Sequence, residues 1–370
     1  MKLAVLGAGM VGRAIALDLA PHYSVTSFDK SAGSLSLLEK RNAGITTVQA
    51  DLTEYAAYTN WLAPFDFVIT AVPGFMGYRT LEAVIRAGKS AVDISFFPED
   101  ALQLDALAKE KKVTIITDCG VAPGMSNLIL GYYAARMQVK AFECYVGGLP
   151  QDPQPPFYYK APFSPVDVIQ EYIRPARLVE NGTIVTRPAL SERELMDFGA
   201  AGTLEAFNTD GLRSLVYTMP GIPDMKEKTL RYPGHTDLII SLQQAGFFNE
   251  TTIHIDGHEI APLSFTSRML VDQWKLGEEE KEFTVMRVIV HGEKESIQYD
   301  LFDRYDPVSK ISSMARTTGY TCTGALHLLI KGMFNKTGVF PPELVGPDET
   351  CFRFILQYLA ERNVHWELKQ

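Results

Sequence analysis

Lys2-Leu3-Ala4-Val5-Leu6-Gly7-Ala8-Gly9-Met10-Val11-Gly12 is the stretch on which the reading of this chain turns. A short apolar run of the kind found in buried parallel strands passes directly into Gly-x-Gly-x-x-Gly. A helical stripe opens behind it, with Val11, Ala14, Ile15 and Leu19 on one face while Arg13 and Asp18 fall off it. Gly7 permits the tight turn, Gly9 lets a pyrophosphate approach the backbone, and Gly12 lets the helix pack close to the strand. Met10 and Val11 complete the turn, where the helix N-terminus offers free N–H groups to phosphates. Asp29 closes the next apolar run, Ser24 to Phe28, and stands 22 residues after Gly7. An acid there accepts hydrogen bonds from the adenosine ribose hydroxyls. The plain alternative is a glycine-rich strand-to-helix turn that binds nothing. A strand before, a helix after and an acid at this distance favour the dinucleotide fingerprint.

Outward from this motif, strands and helices alternate. Ile45 to Ala50 ends at Asp51, Phe67 to Thr70 leads into Ala71-Val72-Pro73-Gly74, Ser90 to Ile94 carries Asp93 and Ser95, and Val113 to Thr117 precedes Asp118. Helices fit Thr80 to Ala87, stopped by Gly88, and a segment opening at Pro98-Glu99-Asp100. The pattern predicts a Rossmann-type doubly wound parallel sheet over residues 1–125, an α/β fold that binds its ligand across the carboxyl ends of the strands. Asp51 and Leu52 then flank the adenine. Ala71, Val72 and Pro73 run under the pyrophosphate and nicotinamide ribose, and Ser95 and Asp118 lie nearer the nicotinamide. Each strand-end acid has a plainer role as a helix cap. The expected cofactor is NAD, because a 2′-phosphate would meet the charge of Asp29; Lys30 beside it weakens that preference and leaves NADP open.

After Ser126 or Asn127, taken as a helix cap, the alternation stops. Strand-like stretches occur at Lys140 to Val146, Thr183 to Thr186, Thr203 to Phe207 and Thr251 to Ile255. Phe283 to Val290 and Ser296 to Leu301 form the arms of a hairpin around Gly292, and helices fit Pro262 to Trp274, Ser312 to Met333 and Cys351 to Arg362. This predicts an α+β domain with an antiparallel sheet over residues 126–340, serving substrate binding and oligomerisation. A C-terminal helix at about 345–370 belongs either there or back on the first domain. An antiparallel face that needs cover suggests a homodimer or higher homo-oligomer.

Composition narrows the function. The 370 residues carry 35 Lys and Arg against 44 Asp and Glu, a net charge of −9, with 46% hydrophobic and 21% charged residues. That excludes a disordered or fibrous chain and disfavours a nucleic-acid binder. Cys119, Cys144, Cys322 and Cys351 form neither a CxxC pair nor a disulfide framework, which points to a reducing compartment. The N-terminal stretch lacks the pattern of a signal peptide and no apolar run approaches the ~18 residues of a membrane helix, so a cytoplasmic protein with no membrane partner is expected. No metal is expected either, since His254-Ile255-Asp256-Gly257-His258 reads as a tight turn between two strands and no HExxH is present. Cys119, near the cofactor, reads as a small buried residue.

Three polar clusters stay open between a plain structural role, a solvated strand and loop for the first and a helix cap for the second, and a place in the cleft. They are Lys226 to His235, with Arg231 and His235; Asn208-Thr209-Asp210-Gly211; and Tyr158-Tyr159-Lys160.

Asp118 to Asn127, Glu205 to Leu212, Lys228 to His235 and Ser313 to Gly319 resemble cleft-lining segments of the saccharopine dehydrogenase family, and within it of the lysine 6-dehydrogenases. The likeness runs over nearly the whole chain. Saccharopine-forming members usually carry Asp-Pro-Gly where this chain has Ala122-Pro123-Gly124, and Tyr where it has Phe96, which argues for the lysine branch. The resemblance implies oxidative deamination of L-lysine at its 6-amino group. A hydride passes to NAD(P)⁺, and the imine is hydrolysed to 2-aminoadipate semialdehyde, which cyclises. Such chemistry needs a base, for which Asp118 is the first choice and His235 the second. It needs a cation for the substrate carboxylate, Arg231 or Arg316, and an acid for the 2-ammonium, Asp93 or Asp210. Asn127, Tyr158 and Thr209 complete the expected substrate contacts. The alternatives are a saccharopine or carboxynorspermidine-type dehydrogenase acting on a secondary amine, which requires more cations in the cleft, and a non-catalytic NAD-binding protein.

Overall fold

A computed structural model describes residues 1–369. The first part is built from β1 (Lys2–Leu6), α1 (Met10–Leu19), β2 (Ser24–Asp29), α2 (Ala32–Arg41), β3 (Thr46–Gln49), α3 (Tyr58–Leu62), β4 (Phe67–Thr70), α4 (Gly74–Arg86), β5 (Ser90–Asp93), α5 (Asp105–Lys111) and β6 (Thr114–Ile116). All the strands run parallel, in the order β3-β2-β1-β4-β5-β6. This is the doubly wound order, with the chain reversing direction across the sheet between β1 and β4. Leu3, Val5, Ile69 and Val92 face one apolar layer, and Ala4, Leu6, Val68 and Ala91 the other. Both faces are covered, so these strands read as continuous apolar runs.

Next come α6 (Met125–Ala134), β7 (Val139–Pro150), α7 (Pro165–Ile173), β8 (Ala176–Glu180), β9 (Thr183–Arg187), β10 (Glu194–Asp197), β11 (Thr203–Asn208), α8 (Leu215–Thr218), β12 (Asp224–Arg231) and α9 (His235–Gln244). They are followed by β13 (Ile253–Ile255), β14 (His258–Ile260), α10 (Pro262–Trp274), β15 (Glu282–Gly292), β16 (Ser296–Arg304) and α11 (Ser313–Ile330). The chain closes with β17 (Gly338–Phe340), α12 (Pro342–Val345), α13 (Glu349–Ala360) and β18 (Trp366–Lys369). A nine-stranded sheet runs β10-β11-β12-β7-β15-β16-β18, with β8 and β9 attached through β12.

This second sheet is mixed, which corrects the antiparallel expectation. β12 lies parallel to β7, with Lys228 beside Tyr145 and Thr229 beside Val146. Parallel neighbours need a long crossover, and the segment from α7 to α8 supplies it. A second correction concerns β17. Its three residues pair parallel with β6, so the far end of the segment assigned to the second domain is the outer strand of the first sheet. The C-terminal α13 packs on α11 and α6, and beyond it Arg362 reaches Asp18 of α1 with Nε 2.6 Å from the carboxylate. Gly124, not Ser126 or Asn127, caps α6; both polar residues lie inside its first turn. Asp256-Gly257 does turn the small β13-β14 hairpin. No described helix is long and apolar enough to cross a membrane.

Candidate active site

The carboxyl ends of β1, β2 and β4 open into a cleft of about 770 Å³ that continues to the β7-β12 face of the second sheet. Gly7, Gly9, Met10, Val11, Gly12, Asp29, Asp51, Leu52, Ala71, Val72 and Pro73 all line it. Gly7 has φ 108°, and a Cβ there would stand 2.3 Å from the Ala71 carbonyl oxygen. A Cβ on Gly12 would stand 2.1 Å from the Gly7 oxygen, so these two glycines are demanded by packing. Over Gly9 nothing comes within 4 Å, and Gly9 caps α1 without a side-chain hydrogen bond. An open cradle over unpartnered helix N–H groups fits a pyrophosphate. Asp29 is fixed at the end of β2 by the N–H groups of Ala8 and Ser31, each donating at 2.7 Å. The residues present therefore fit a dinucleotide. Ser95 does not join them: it is buried below the cleft, its N–H donating to Asp93, while its neighbour Ile94 forms the wall.

The other half of the cleft is made by β12. Glu227, Thr229 and Arg231 alternate along one strand face and all line the cleft. Thr209, Asp210 and Gly211 approach from the end of β11, and Asp167 and Glu171, one turn apart on α7, from the side. Ser164 caps α7 by accepting from the Asp167 N–H, which sets that helix against the cleft. Phe96, Phe163, Met314 and Thr318 add apolar wall.

Glu227 is 5% exposed and has no ion-pair partner among the described residues. The Thr209 hydroxyl donates to its Oε2 at 2.7 Å, and burial pushes the carboxyl up to about 8. A Cβ on Gly211 would lie 2.2 Å from that oxygen. Glu171 is pushed up to about 7 by burial, opposed by Arg231, whose NH2 stands 3.8 Å away. Arg231 donates from Nε to the Tyr172 hydroxyl at 2.8 Å and from NH1 to the Leu230 carbonyl at 2.9 Å, and it lies 4.3 Å from the Tyr159 ring. Its buried NH2 has no hydrogen-bond partner. Asp210 is clamped by Arg177, with Nε and NH2 each at 2.8 Å. Asp118 is held by Arg213, NH2 at 2.8 Å and Nε at 3.3 Å, and that guanidinium also donates to the Phe97 carbonyl and covers the Phe96 ring.

Of the expected substrate and catalytic residues, Asp118, Thr209, Asp210 and Arg231 therefore meet in the cleft. Five others do not. Asp93 is wholly buried under the Thr70 and Thr117 hydroxyls, beyond reach of an ammonium, and burial pushes it up to about 7. Asn127 donates to Glu343 at 3.0 Å beneath α12. Tyr158 points to solvent, 40% exposed, while Tyr159 packs on Arg231. Arg316 donates to the carbonyls of Arg304, Arg362 and Asn363 and pairs with Asp303. It sits on α11 midway between Met314 and Thr318, whose i, i+4 spacing faces the cleft, and so it points away. His235 is sealed between the Tyr172 hydroxyl at 2.9 Å and the Phe157 carbonyl at 2.8 Å. Burial, aided by Arg231, pushes it down to about 3, so it is a neutral imidazole out of contact with the cleft.

The reading by residue type missed Glu171 and Glu227. A usable sign was present in the alternation of Glu227, Thr229 and Arg231 within one strand. Among the described residues, no group of three or more His, Cys, Asp or Glu side chains could hold a metal ion.

Residues 3–116 match the family described as the saccharopine dehydrogenase NADP binding domain, and residues 120–364 the saccharopine dehydrogenase C-terminal domain. A Pyricularia oryzae protein named saccharopine dehydrogenase [NADP(+), L-glutamate-forming] is 27% identical over 66% of this chain and 58% of its own length. Its Schizosaccharomyces pombe counterpart is 25% identical over 68% and 59%. The chain thus spans somewhat over half the length of these curated relatives. Among solved structures, apo saccharopine dehydrogenase (L-Glu forming) from Saccharomyces cerevisiae superposes with a TM-score of 0.80 at 20% identity, covering 100% of this chain and 99% of that one. Homospermidine synthase from Legionella pneumophila, in complex with NAD, gives 0.71 at 12%, covering 100% and 91%. At these identities the likeness is one of fold.

Proposed function

The chain belongs to the saccharopine dehydrogenase family, and on that premise we propose that it oxidises a carbon–nitrogen bond of an amino acid bearing a second, distal amine, with L-lysine at its 6-amino carbon as the lead substrate. One observation carries the reading. β12 presents a guanidinium, Arg231, and a cation-free carboxyl, Glu227, on the same face of one strand, with the Thr229 hydroxyl between them. A guanidinium suits a carboxylate and a buried carboxyl suits an ammonium. The two anchors stand at opposite ends of that face.

The remaining charges support a cationic substrate. Asp118 and Asp210 are neutralised by Arg213 and Arg177. Glu171, Glu227 and Asp167 stay on the wall against Arg231. Saccharopine brings several carboxylates, for which this wall offers one guanidinium, Arg231, and one ammonium, Lys275, against the three carboxyls. It remains the second reading because the curated relatives carry its name.

An amine must shed its proton before its lone pair can enter the forming C=N bond, so a positioned base is required. Glu227 takes that role: its carboxyl is held near neutrality by burial and oriented by Thr209. Asp118 has both oxygens engaged by Arg213 and serves to fix that guanidinium over Phe96. An oxidised dinucleotide held by Gly7 to Gly12, Asp29 and Ala71 to Pro73 supplies the two-electron acceptor. Arg231 takes the substrate carboxylate, and Phe96 and Phe163 limit water around the reacting carbon.

The test is reduction of NAD⁺ and NADP⁺ at alkaline pH with L-lysine, saccharopine, carboxynorspermidine and 1,5-diaminopentane in parallel. Reduction with L-lysine alone, with ammonia released in step, is the expected result. Reduction only with a secondary amine would move the chain to the second reading. Cofactor binding without turnover of any of them would overturn both.

A further inference from the structure

His235, neutral and shut out of the cleft, is left without work by the mechanism above, yet every polar atom on its ring is engaged. The Phe157 carbonyl can only accept, so Nδ1, 2.8 Å away, carries the hydrogen. Nε2 of a neutral ring is then an acceptor, and the Tyr172 hydroxyl at 2.9 Å must donate to it. That leaves the Tyr172 oxygen free to accept from Arg231 Nε at 2.8 Å. Every link has one permitted direction. A protonated His235 would reverse the Tyr172 hydroxyl and set its hydrogen against the Arg231 N–H.

The chain terminates in the guanidinium edge described above. Nε is bound to Tyr172, NH1 to the Leu230 carbonyl, and NH2 has no hydrogen-bond partner, only a long ion pair with Glu171 at 3.8 Å. The Tyr159 ring covers the guanidinium, and Trp274 packs its ring 5.8 Å from that of His235, which leaves the imidazole little room to rotate. An arginine usually has many ways to point; this one is held from behind, with an unsatisfied donor at the cleft wall.

We propose that Phe157, His235 and Tyr172 form a one-way hydrogen-bond chain that presets the Arg231 guanidinium for an incoming carboxylate, making His235 and Tyr172 positioning residues for the site's preference for amino acids over simple amines. This rests on the reading of Arg231 as the carboxylate anchor. Preorganisation of this kind acts on binding of the carboxylate and not on the bond-breaking step.

The experiment compares L-lysine with 1,5-diaminopentane, which is lysine without its carboxylate, in the wild type, Tyr172→Phe, His235→Leu and His235→Gln. Tyr172→Phe keeps the ring and removes the central link, so KM for L-lysine should rise about tenfold or more while kcat stays within about threefold. The diamine should be unaffected, and the ratio of the two kcat/KM values should fall by the same factor. His235→Leu should behave likewise, and His235→Gln, whose amide oxygen can still accept from Tyr172, should recover part of the ratio. An unchanged ratio in both Tyr172→Phe and His235→Leu, or an equal loss with both substrates, overturns the proposal. If the wild type oxidises neither amine, the functional reading fails separately. The proposal is then read from tryptophan fluorescence during a pentanoate titration with NAD⁺ present. Weaker binding by Tyr172→Phe supports it; equal binding, or none by the wild type, overturns it.

Discussion

Glu278 brings both carboxylate oxygens to a single nitrogen of Arg13, at 2.6 and 2.8 Å. Arg13 lies on α1, immediately after the glycine turn, and is buried; Glu278 lies in the loop after α10. Arg41 adds a longer contact at 3.6 Å. The second unit thus grips the first at the wall of the cofactor cleft, which both residues line. Because Glu278 is half exposed, the pair itself contributes only about 1 kcal/mol to stability. Its larger effect is on the cleft. Glu278→Ala should speed cofactor release about three- to tenfold, measured by stopped-flow displacement of bound NADH, with a small drop in melting temperature.

Glu227 and Gly211 form a second testable unit. The carboxyl acts as a base only when ionised, and its value of about 8 means that this form is lost as pH falls through that region. The pH profile of kcat/KM should rise to a plateau above about pH 8. Glu227→Gln should lower kcat by about 10²- to 10⁴-fold and remove the limb assigned to this group. Gly211→Ala should mimic it in part, since the added Cβ overlaps Oε2. Cofactor titrations should be unchanged in both variants.

Asp29 governs the choice of dinucleotide. Both of its oxygens are held by backbone N–H groups, which fixes a negative charge where the adenosine ribose is expected. The wild type should prefer NAD⁺. Asp29→Ser removes the charge beside Lys30, and the NAD⁺ to NADP⁺ ratio of kcat/KM should shift at least about tenfold towards NADP⁺.

Glu282 makes stability depend on pH away from the cleft. It accepts from the Met314 N–H at the start of α11, its second oxygen has no partner, and burial pushes it up to about 8. A carboxyl raised in the folded state favours folding at low pH, and that contribution is lost as pH climbs from its ordinary value of 4.5 towards about 8. Glu282→Gln does not titrate. Its stability relative to wild type should grow across that window by a few kcal/mol, followed by urea unfolding at pH 5, 7 and 9.

The first sheet was legible because its central strands β1, β4 and β5 are buried on both faces and its strands lead into a turn residue or an acid; Gly7 to Asp29 alone placed the cofactor cradle. The second sheet was less so. Lys228 hid β12, since a lysine in a strand reads as solvated, whereas here Nζ is buried on Glu194 and the Glu192 carbonyl. Residues 338–340 are too few to show a period. The site failed in a regular way. Motif resemblance located the right segments, but not which side chain faces inward. Tyr159, not Tyr158, meets Arg231, and Met314 and Thr318, not Arg316, face the cleft. One step along an extended chain or two along a helix reverses a side chain, and only neighbours settle it.

The pairing of β17 with β6 has a consequence for how the molecule is made. On the ribosome, residues 1–116 emerge long before residues 338–340, so the nascent parallel sheet waits with the outer edge of β6 bare while more than half of the chain is synthesised. Contacts between residues so distant in sequence slow folding, and a waiting strand edge is a template for unwanted pairing. The charged side chains of Lys109, Lys111 and Lys112 immediately before that strand, two of them at the end of α5, provide the nascent edge with local charge until Gly338 to Phe340 arrive to cover it.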